Sequence, residues 1–504
     1  MKERWFNYRP ICLVCAFLLL GSIFSFYFSK NVVLVSVLTG IIAFLLLLLA
    51  IYKKKLKYFG IPLTAFIIGV VAYNLAIITF NKTVEYKPNF VQARIVNVSK
   101  TEDNYIKIQA DSCLFDNKST NDNIYVIIYD QSQNFENIEI GRIIDFKPSS
   151  FTKNDLMYNS TPNSKMFSNK IKYTAVVNIE YISFGKIDKT FAETFRENVK
   201  ENLNLALTKE NTELAYSALF GDKTMLTDST QQAFRLSGVA HLLAVSGLHV
   251  GIIVSALLFI LKLFKSRDWI NLLIISIFLT LYTYLCGFTV SVIRASIMAI
   301  ILLLSKVLKE EYDIYNSISI AGIIIFLINP LCVFDASFLM SFSCVLGIAM
   351  LYKPINLALS KIKISKKIIS AVAISLATTI ALIMISAFYF NNFNAISVFA
   401  NVILIPLFTL AFVPIFILGI ISTIIPQIAY ILFPINYLLD FITILAEIFG
   451  NTAISNFTTI PVNYISIILY FVFIVLIGRL CSAKSQYKVI ISLPTLAILF
   501  YSLI

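Results

Sequence analysis

Runs of uncharged, mostly apolar residues recur along this chain at lengths that only a bilayer explains. Ile11 to Phe28, Val32 to Tyr52 and Ile61 to Thr79 follow one another almost without interruption, and a helix needs about 20 such residues to cross a hydrocarbon layer about 30 Å thick. Hydrophobic residues make up 58% of the 504 and charged residues only 14%, a balance foreign to soluble domains. The fold class is therefore a polytopic α-helical membrane protein. No small-residue cleavage site separates the first runs, so residues 1–80 read as N-terminal transmembrane helices and not as a removable signal peptide.

The formal charge of +13 suggests nucleic acid until its distribution is followed. Short segments between the apolar runs, including Lys53 to Lys57 and Lys361 to Lys367, hold 20 basic residues against five acids, and the remainder holds 21 against 23. That pattern is the positive-inside signature of membrane topology. It places the N-terminus in the cytoplasm and the polar region after residue 80 outside. The charges of that region cancel, so no strong duplex-binding surface is legible in it.

Residues 81–190 change character. Val91 to Val98, Tyr105 to Ala110, Ile124 to Tyr129, Arg142 to Phe146 and Ile171 to Ile182 carry alternating or β-branched patterns, separated by clusters such as Asp116-Asn117-Lys118-Ser119. Five short strands predict an inserted extracytoplasmic all-β domain. A small OB-like (oligonucleotide-binding type) barrel and a fragment of a sandwich both fit. The seven cysteines form no framework, and Cys113 is alone in this region. A disulfide there is not expected. No metal-ligand spacing and no GxxxxGK[ST] phosphate loop occurs, so neither a metal nor an ATP site, nor any other cofactor, is expected.

Residues 191–236 have an amphipathic helical rhythm and read as a connector. Residues 237–504 are nearly all membrane. The candidate spans are Gly238 to Leu261, Ile270 to Gly287, Val290 to Leu308, Ile314 to Ile328, Leu339 to Tyr352, Ile368 to Phe390, Ile396 to Ile421, Ala429 to Phe449, Tyr464 to Ile477 and Val489 to Ile504.

Rare residues converge at the head of this region. Both histidines of the chain, His241 and His249, and three of its 16 glycines lie between Gly238 and Gly251. On a continuous helix Ser246 and His249 share a face, and Gly247 and Gly251 form a small-xxx-small pair that admits a neighbouring backbone. Two readings stand: a polar lining of a membrane pathway, with the imidazoles as donors or titratable gates, or two histidines that hydrogen-bond helices together. Arg294 lies a few residues into a span, where an arginine demands a cavity, an anion or an acid such as Asp335. Asn401, with Pro406 and Pro414, sits in a span expected to be kinked or discontinuous. Lys223 and Arg235 precede the histidine segment on the outer side, where they could meet a polyanion or simply snorkel. Asp440 and Glu447 read as a solvated lip.

The stretch from Phe234 to Gly251, with its core His241-Leu242-Leu243-Ala244-Val245-Ser246-Gly247-Leu248-His249-Val250, resembles the hallmark segment of the ComEC family of competence proteins. Ala218 to Lys223, Val292 to Ala295, Asn329 to Leu331, Asp335 to Phe342, and Asn401 with Pro406 add to the resemblance. The resemblance implies transport of single-stranded DNA across the bacterial cytoplasmic membrane. It implies a channel lined by His241, Ser246, Gly247, His249, Gly251, Arg294, Asp335 and Asn401, and partners in an extracytoplasmic DNA receptor and a cytosolic ATP-driven translocase. Tyr105, Tyr125, Tyr129 and Tyr173 are candidates for stacking on bases. Many relatives add a metallo-β-lactamase-like domain, which needs an HxHxDH spacing. No histidine follows His249, so a transport protein and not an enzyme is expected, with strand degradation left to a separate nuclease. Two rivals remain: a solute or anion transporter with Arg294 at a broken helix, and an intramembrane hydrolase with Ser246 as nucleophile and His249 or His241 as base.

Overall fold

The computed structural model describes residues 9–28, 57–81, 87–100, 105–129, 137–158, 161–452, 457–458, 462 and 464–477. The expected spans Val32 to Tyr52 and Val489 to Ile504 lie outside the described residues. The chain divides into two compact units, one of Leu13–Asn198 with Ile323–Asp335, the other of Met1–Cys12, Val199–Gly322 and Ala336–Ile504.

The first unit pairs two apolar helices with a sheet. Helices α1 (Pro10–Tyr27) and α2 (Lys57–Asn81) cross where Gly21 faces the Phe66 carbonyl and Gly69 faces that of Leu18, with no room for a side chain at either glycine. Close backbone approach through small residues is how helices associate in lipid, where burial of apolar surface gives no drive. The hydroxyl of Ser25, 2.8 Å from Asn74 Oδ1, adds a polar tie.

The sheet contains β1 (Val91–Lys100), β2 (Tyr105–Phe115), β3 (Asn123–Tyr129), β4 (Arg142–Phe146), β5 (Ser150–Lys153), β6 (Ile171–Asn178) and β7 (Ile182–Ile187). Their order is β7-β4-β1-β2-β3-β6-β5, antiparallel except for the parallel pair β3 and β6. The Asp116-Asn117 turn after β2 has both residues at positive φ, the conformation that closes a two-residue hairpin with the right twist; it leads to a two-residue strand, Lys118–Ser119, paired with β2. Alternation sends Ile124, Val126 and Ile128 of β3, and Ile171, Tyr173, Ala175 and Val177 of β6, inward. Tyr173 is therefore a core residue, 4% exposed and stacked on Phe151 at 5.0 Å, and not the base-stacking candidate it was expected to be. Its register parity with Ile171 decides the matter.

Chain from Ile323–Asp335 completes this unit. Asn329 Nδ2 donates to Ser164 Oγ at 2.8 Å, and the Phe334 ring packs on Phe26 and Tyr73, at 5.1 and 6.0 Å.

The second unit is helical. It takes in the later part of α3 (Phe191–Leu203), then α4 (Lys209–Phe220), α5 (Asp228–Leu236), α6 (Gly247–Leu263), α7 (Asp268–Leu285), α8 (Val290–Leu308), the first part of α9 (Ile314–Ile328), α10 (Ala336–Leu359), α11 (Lys366–Phe390), α12 (Ser397–Ile421), α13 (Ile435–Gly450) and α14 (Tyr464–Ile477). Among the described residues of the whole chain, seven helices are long and apolar enough to cross a bilayer: α1, α2 from Gly60, α7, α8, α10, α11 and α12.

Three expectations change. The stretch from Gly238 to Leu261 is broken into a 3-10 turn, Ala240–Leu243, and α6, which has 17 residues. The stretch from Ala429 to Phe449 is also broken: Pro426–Leu432 meets α13 at 51°. Of the two alternatives for the span with Pro406 and Pro414, kinked or discontinuous, the discontinuous one does not hold: α12 is one helix through both prolines. Helix α10 packs closely on α11, where a side chain at Gly347 would stand 2.5 Å from the Ala381 methyl.

Candidate functional site

The break ahead of α6 is built by backbone geometry. Helix α5 stops at Ser237, and Gly238 takes the left-handed φ of 78° with the Ser397 side chain where its own would be. A β-carbon is excluded there twice over. Asn394 donates from its side-chain amide to the Leu236 carbonyl. Val239, Leu242, Leu243 and Val245 are buried and pin the turn, whose Leu243 carbonyl accepts from Ser217 Oγ at 2.7 Å. His241 projects from this turn and is exposed. It does not share a helix with His249.

Ser246 is the N-cap of α6 and lies outside the helix proper. Its Oγ accepts from the Leu248 N–H at 3.2 Å, and its own N–H donates to His249 Nδ1 at 3.1 Å. This is a capping box with histidine in the place usually held by Glu or Gln. A main-chain N–H only donates, so Nδ1 must be the acceptor and the neutral ring carries its proton on Nε2. Nε2 has no hydrogen-bond partner among the described residues, and the ring, 0% exposed, stands edge-on to Phe412 at 4.7 Å and Phe408 at 5.4 Å. Ser246 Oγ does lie 2.9 Å from Nδ1, but that nitrogen already receives the main-chain donor, and no third group among the described residues orients the ring. The serine-base arrangement of a hydrolase needs both conditions met.

Arg294, on the second turn of α8, is 4% exposed. Its Nη2 occupies space 2.8 Å from the position a Gly247 β-carbon would take, and Cζ lies 5.9 Å from the Phe342 ring centre. Gly247 therefore makes room for the guanidinium at the start of α6. The ion pairs among the described residues do not include Arg294, and its Nε is buried without a partner. A cation so placed, beside the positive end of a helix, leaves a strong demand for an anion. Gly251 faces open space; the expected close-packing pair reduces to Gly247, and the neighbour there is a side chain.

The remaining candidates disperse. Asn401 donates to Ser375 Oγ at 3.3 Å across α11 and α12, and its Oδ1 is buried without a partner among the described residues. Lys223 Nζ approaches the Ala240 carbonyl at 3.4 Å, tying the turn to the end of α4; Arg235 is exposed on α5. Asp335, 8% exposed, belongs to the first unit. Asp440 accepts from Asn211 at 2.8 Å and that amide also reaches Asn436, so this part of the expected lip is a bonded junction. Sequence reading missed Phe408, Phe412 and Phe342, whose only signal is their i, i+4 spacing or their proximity in the fold.

On the sheet, Tyr105 and Tyr129 face one another across β2 and β3 with rings 5.4 Å apart. Lys107 Nζ sits 4.0 Å over the Tyr125 ring on the same face.

A family model described as Competence protein matches residues 218–486, more than half of the chain. The chain belongs to the competence protein family. Lys223, Arg235 and every candidate from His241 to Asn401 fall inside the family segment, and the sheet tyrosines fall outside it. Among curated proteins, the chain is 29% identical to ComE operon protein 3 of Bacillus subtilis (strain 168) over 226 residues, 44% of this chain and 28% of that protein. It is 22% identical to Recombination protein 2 of Haemophilus influenzae over 246 residues, 46% of this chain and 31% of that protein. The chain thus matches under a third of the length of either relative. No solved structure matches it significantly. Family membership and the seven apolar helices together make it a multi-pass membrane protein.

Proposed function

We propose that this protein carries one strand of DNA across the bacterial cytoplasmic membrane during natural transformation. The observation that carries this reading is Arg294: a buried guanidinium without an ion-pair partner among the described residues, placed at the break of the family's histidine segment. Burying a central arginine in a bilayer costs about 2.5 to 3.5 kcal/mol on insertion scales. A phosphodiester passing the break would offset that cost and be offset by it, and a planar fork suits it better than an ammonium. In this reading His249 and Ser246 hold the break in shape, Gly247 seats Arg294, and Asn401, Gly251 and His241 belong to the channel. The role of the protein is transport without chemistry on the strand.

The sheet supports the rest. Strands β1 to β3 form a meander, β4 returns beside β1, and β6 runs parallel to β3, an arrangement compatible with a partly open, OB-like Greek-key barrel. Tyr105, Tyr125 and Tyr129 on its β2–β3 face would stack on bases, at about 1 to 3 kcal/mol each. The charge asymmetry between loops favours an extracytoplasmic sheet and a cytoplasmic N-terminus. An outer DNA receptor would deliver the strand, a cytosolic ATP-driven translocase would pull it, and a separate nuclease would remove its complement.

The test is DNase-protected uptake of labelled DNA in cells that carry the wild-type chain, no chain, or Arg294→Ala at matched abundance. Uptake should vanish with the deletion, return with wild type, and fall at least tenfold with Arg294→Ala. Undiminished uptake by the variant would remove Arg294 from the path, and undiminished uptake by the deletion would remove the protein from it.

A further inference from the structure

From Ala336 to Leu439 the chain contains no carboxylate, and of its five basic residues in that stretch, Lys361 and Lys363 lie in one turn and Lys353, Lys366 and Lys367 flank it. The turn, residues 360–365, joins α10 to α11, two spans packed along their length through Gly347, Ala377 and Ala381. Every residue from Ser360 to Ile368 is exposed. Lysine alternates with isoleucine here, and Ile362 and Ile364 are 50% and 53% exposed, with Leu357 and Ile368 flanking them in the same state. The ion pairs among the described residues include none of these lysines.

Water would accept the lysines and reject the isoleucines, and acyl chains would do the reverse. Only the headgroup layer takes both, with apolar side chains dipping into the acyl boundary and ammonium groups among phosphates. The charge complement of an acid-free basic cluster at that depth is an anionic lipid. The first turn of α11 points the same way: Lys366 and Lys367 stand where acids are favoured, and neither a Ser365 side-chain cap nor an acid of the first turn offsets the positive helix end. We propose that the α10–α11 turn is a docking surface for anionic phospholipid headgroups of the bilayer around it. The topology rule alone accounts for lysines on one side of a membrane, but it gives the interleaved isoleucines no task. The surface is independent of DNA passage and stands whether or not Arg294 meets phosphate.

The whole chain, reconstituted in nanodiscs of phosphatidylcholine with a minor share of phosphatidylglycerol and then released into detergent, would be examined by native mass spectrometry for retained lipid. Wild type should retain phosphatidylglycerol in excess of its share. The quadruple variant K361Q/K363Q/K366Q/K367Q should retain roughly threefold less or lower, and Ile362→Ser with Ile364→Ser should also lose part of it. All the substituted residues are exposed, and circular dichroism and thermal melting check that the fold is kept. Retention that ignores the lysines overturns the proposal. So does retention that the isoleucine variant leaves unchanged and an added single-stranded oligonucleotide displaces, because the surface would then serve a soluble polyanion.

Discussion

At His249 the chemistry of a single ring nitrogen decides how a conspicuous residue is understood. Nδ1 is taken by the Ser246 main chain and the ring edge is packed among phenylalanines, so its first task is to start a helix. Glutamine offers an acceptor at the same capping position. His249→Gln should therefore keep the melting temperature close to wild type and retain DNA uptake, whereas His249→Ala should lose about 1 kcal/mol from the cap and more from the emptied space. A His249→Gln protein that melts normally but imports no DNA would assign the imidazole a proton-handling task that a cap does not need. The sequence made the importance of this residue plain through the scarcity of histidine. It could not show the cap, because an uninterrupted apolar pattern looks the same whether the helix begins at Gly238 or at Gly247.

Elements were readable wherever one physical period governed them. The alternation of β3 and β6 set their faces, and the same parity rule, applied to Tyr173, would have placed that ring in the core. Span α8 falls where its apolar run falls. The prolines of α12 do not interrupt it, because membrane helices can keep running past them when freed carbonyls are satisfied locally. Contacts between distant elements had no sequence signal at all. One of these, between the start of α1 and the start of α9, joins Arg9 Nε to Asp313 Oδ2 at 2.7 Å, with Arg9 also over the Tyr315 ring. Partial burial alone would raise the Asp313 carboxyl, but the hydrogen bond from Arg9 and the N–H groups of Asn316 and Tyr315 hold it below its usual value. A depressed carboxyl stabilises the fold fully above its unfolded value of about 3.9 and ceases to do so as pH falls through the folded one. Melting temperature should thus drop as pH falls below about 4 in wild type, and the drop should be smaller in Asp313→Asn. An equal drop in both would show that other carboxyls set the acid limit.

For the whole molecule, the two exposed ends of the proposed topology report its orientation. Lys118→Cys, on the hairpin after β2, should react with a membrane-impermeant maleimide on intact cells, and Lys363→Cys should react only after the membrane is opened. Cys113 will not confuse the sheet result, since burial, with Asp111 beside it, pushes its thiol up to about 12 and only thiolate reacts. Labelling of Lys363→Cys from outside would invert the proposed orientation. Length and composition had already fixed a membrane protein with a β insertion; the grouping of Ile323–Asp335 with the sheet was not legible, because nothing local marks a segment that packs so far back along the chain.

That grouping imposes an order on biosynthesis. The first unit is complete only when Asn329 has reached Ser164 and Phe334 has reached Phe26 and Tyr73. At ordinary translation rates the ribosome needs on the order of ten seconds to travel from Asn198 to Asp335. Throughout that interval the sheet unit waits unfinished while α4 to α8 are being synthesised, so a nascent chain arrested before residue 335 is the form a quality-control protease would meet.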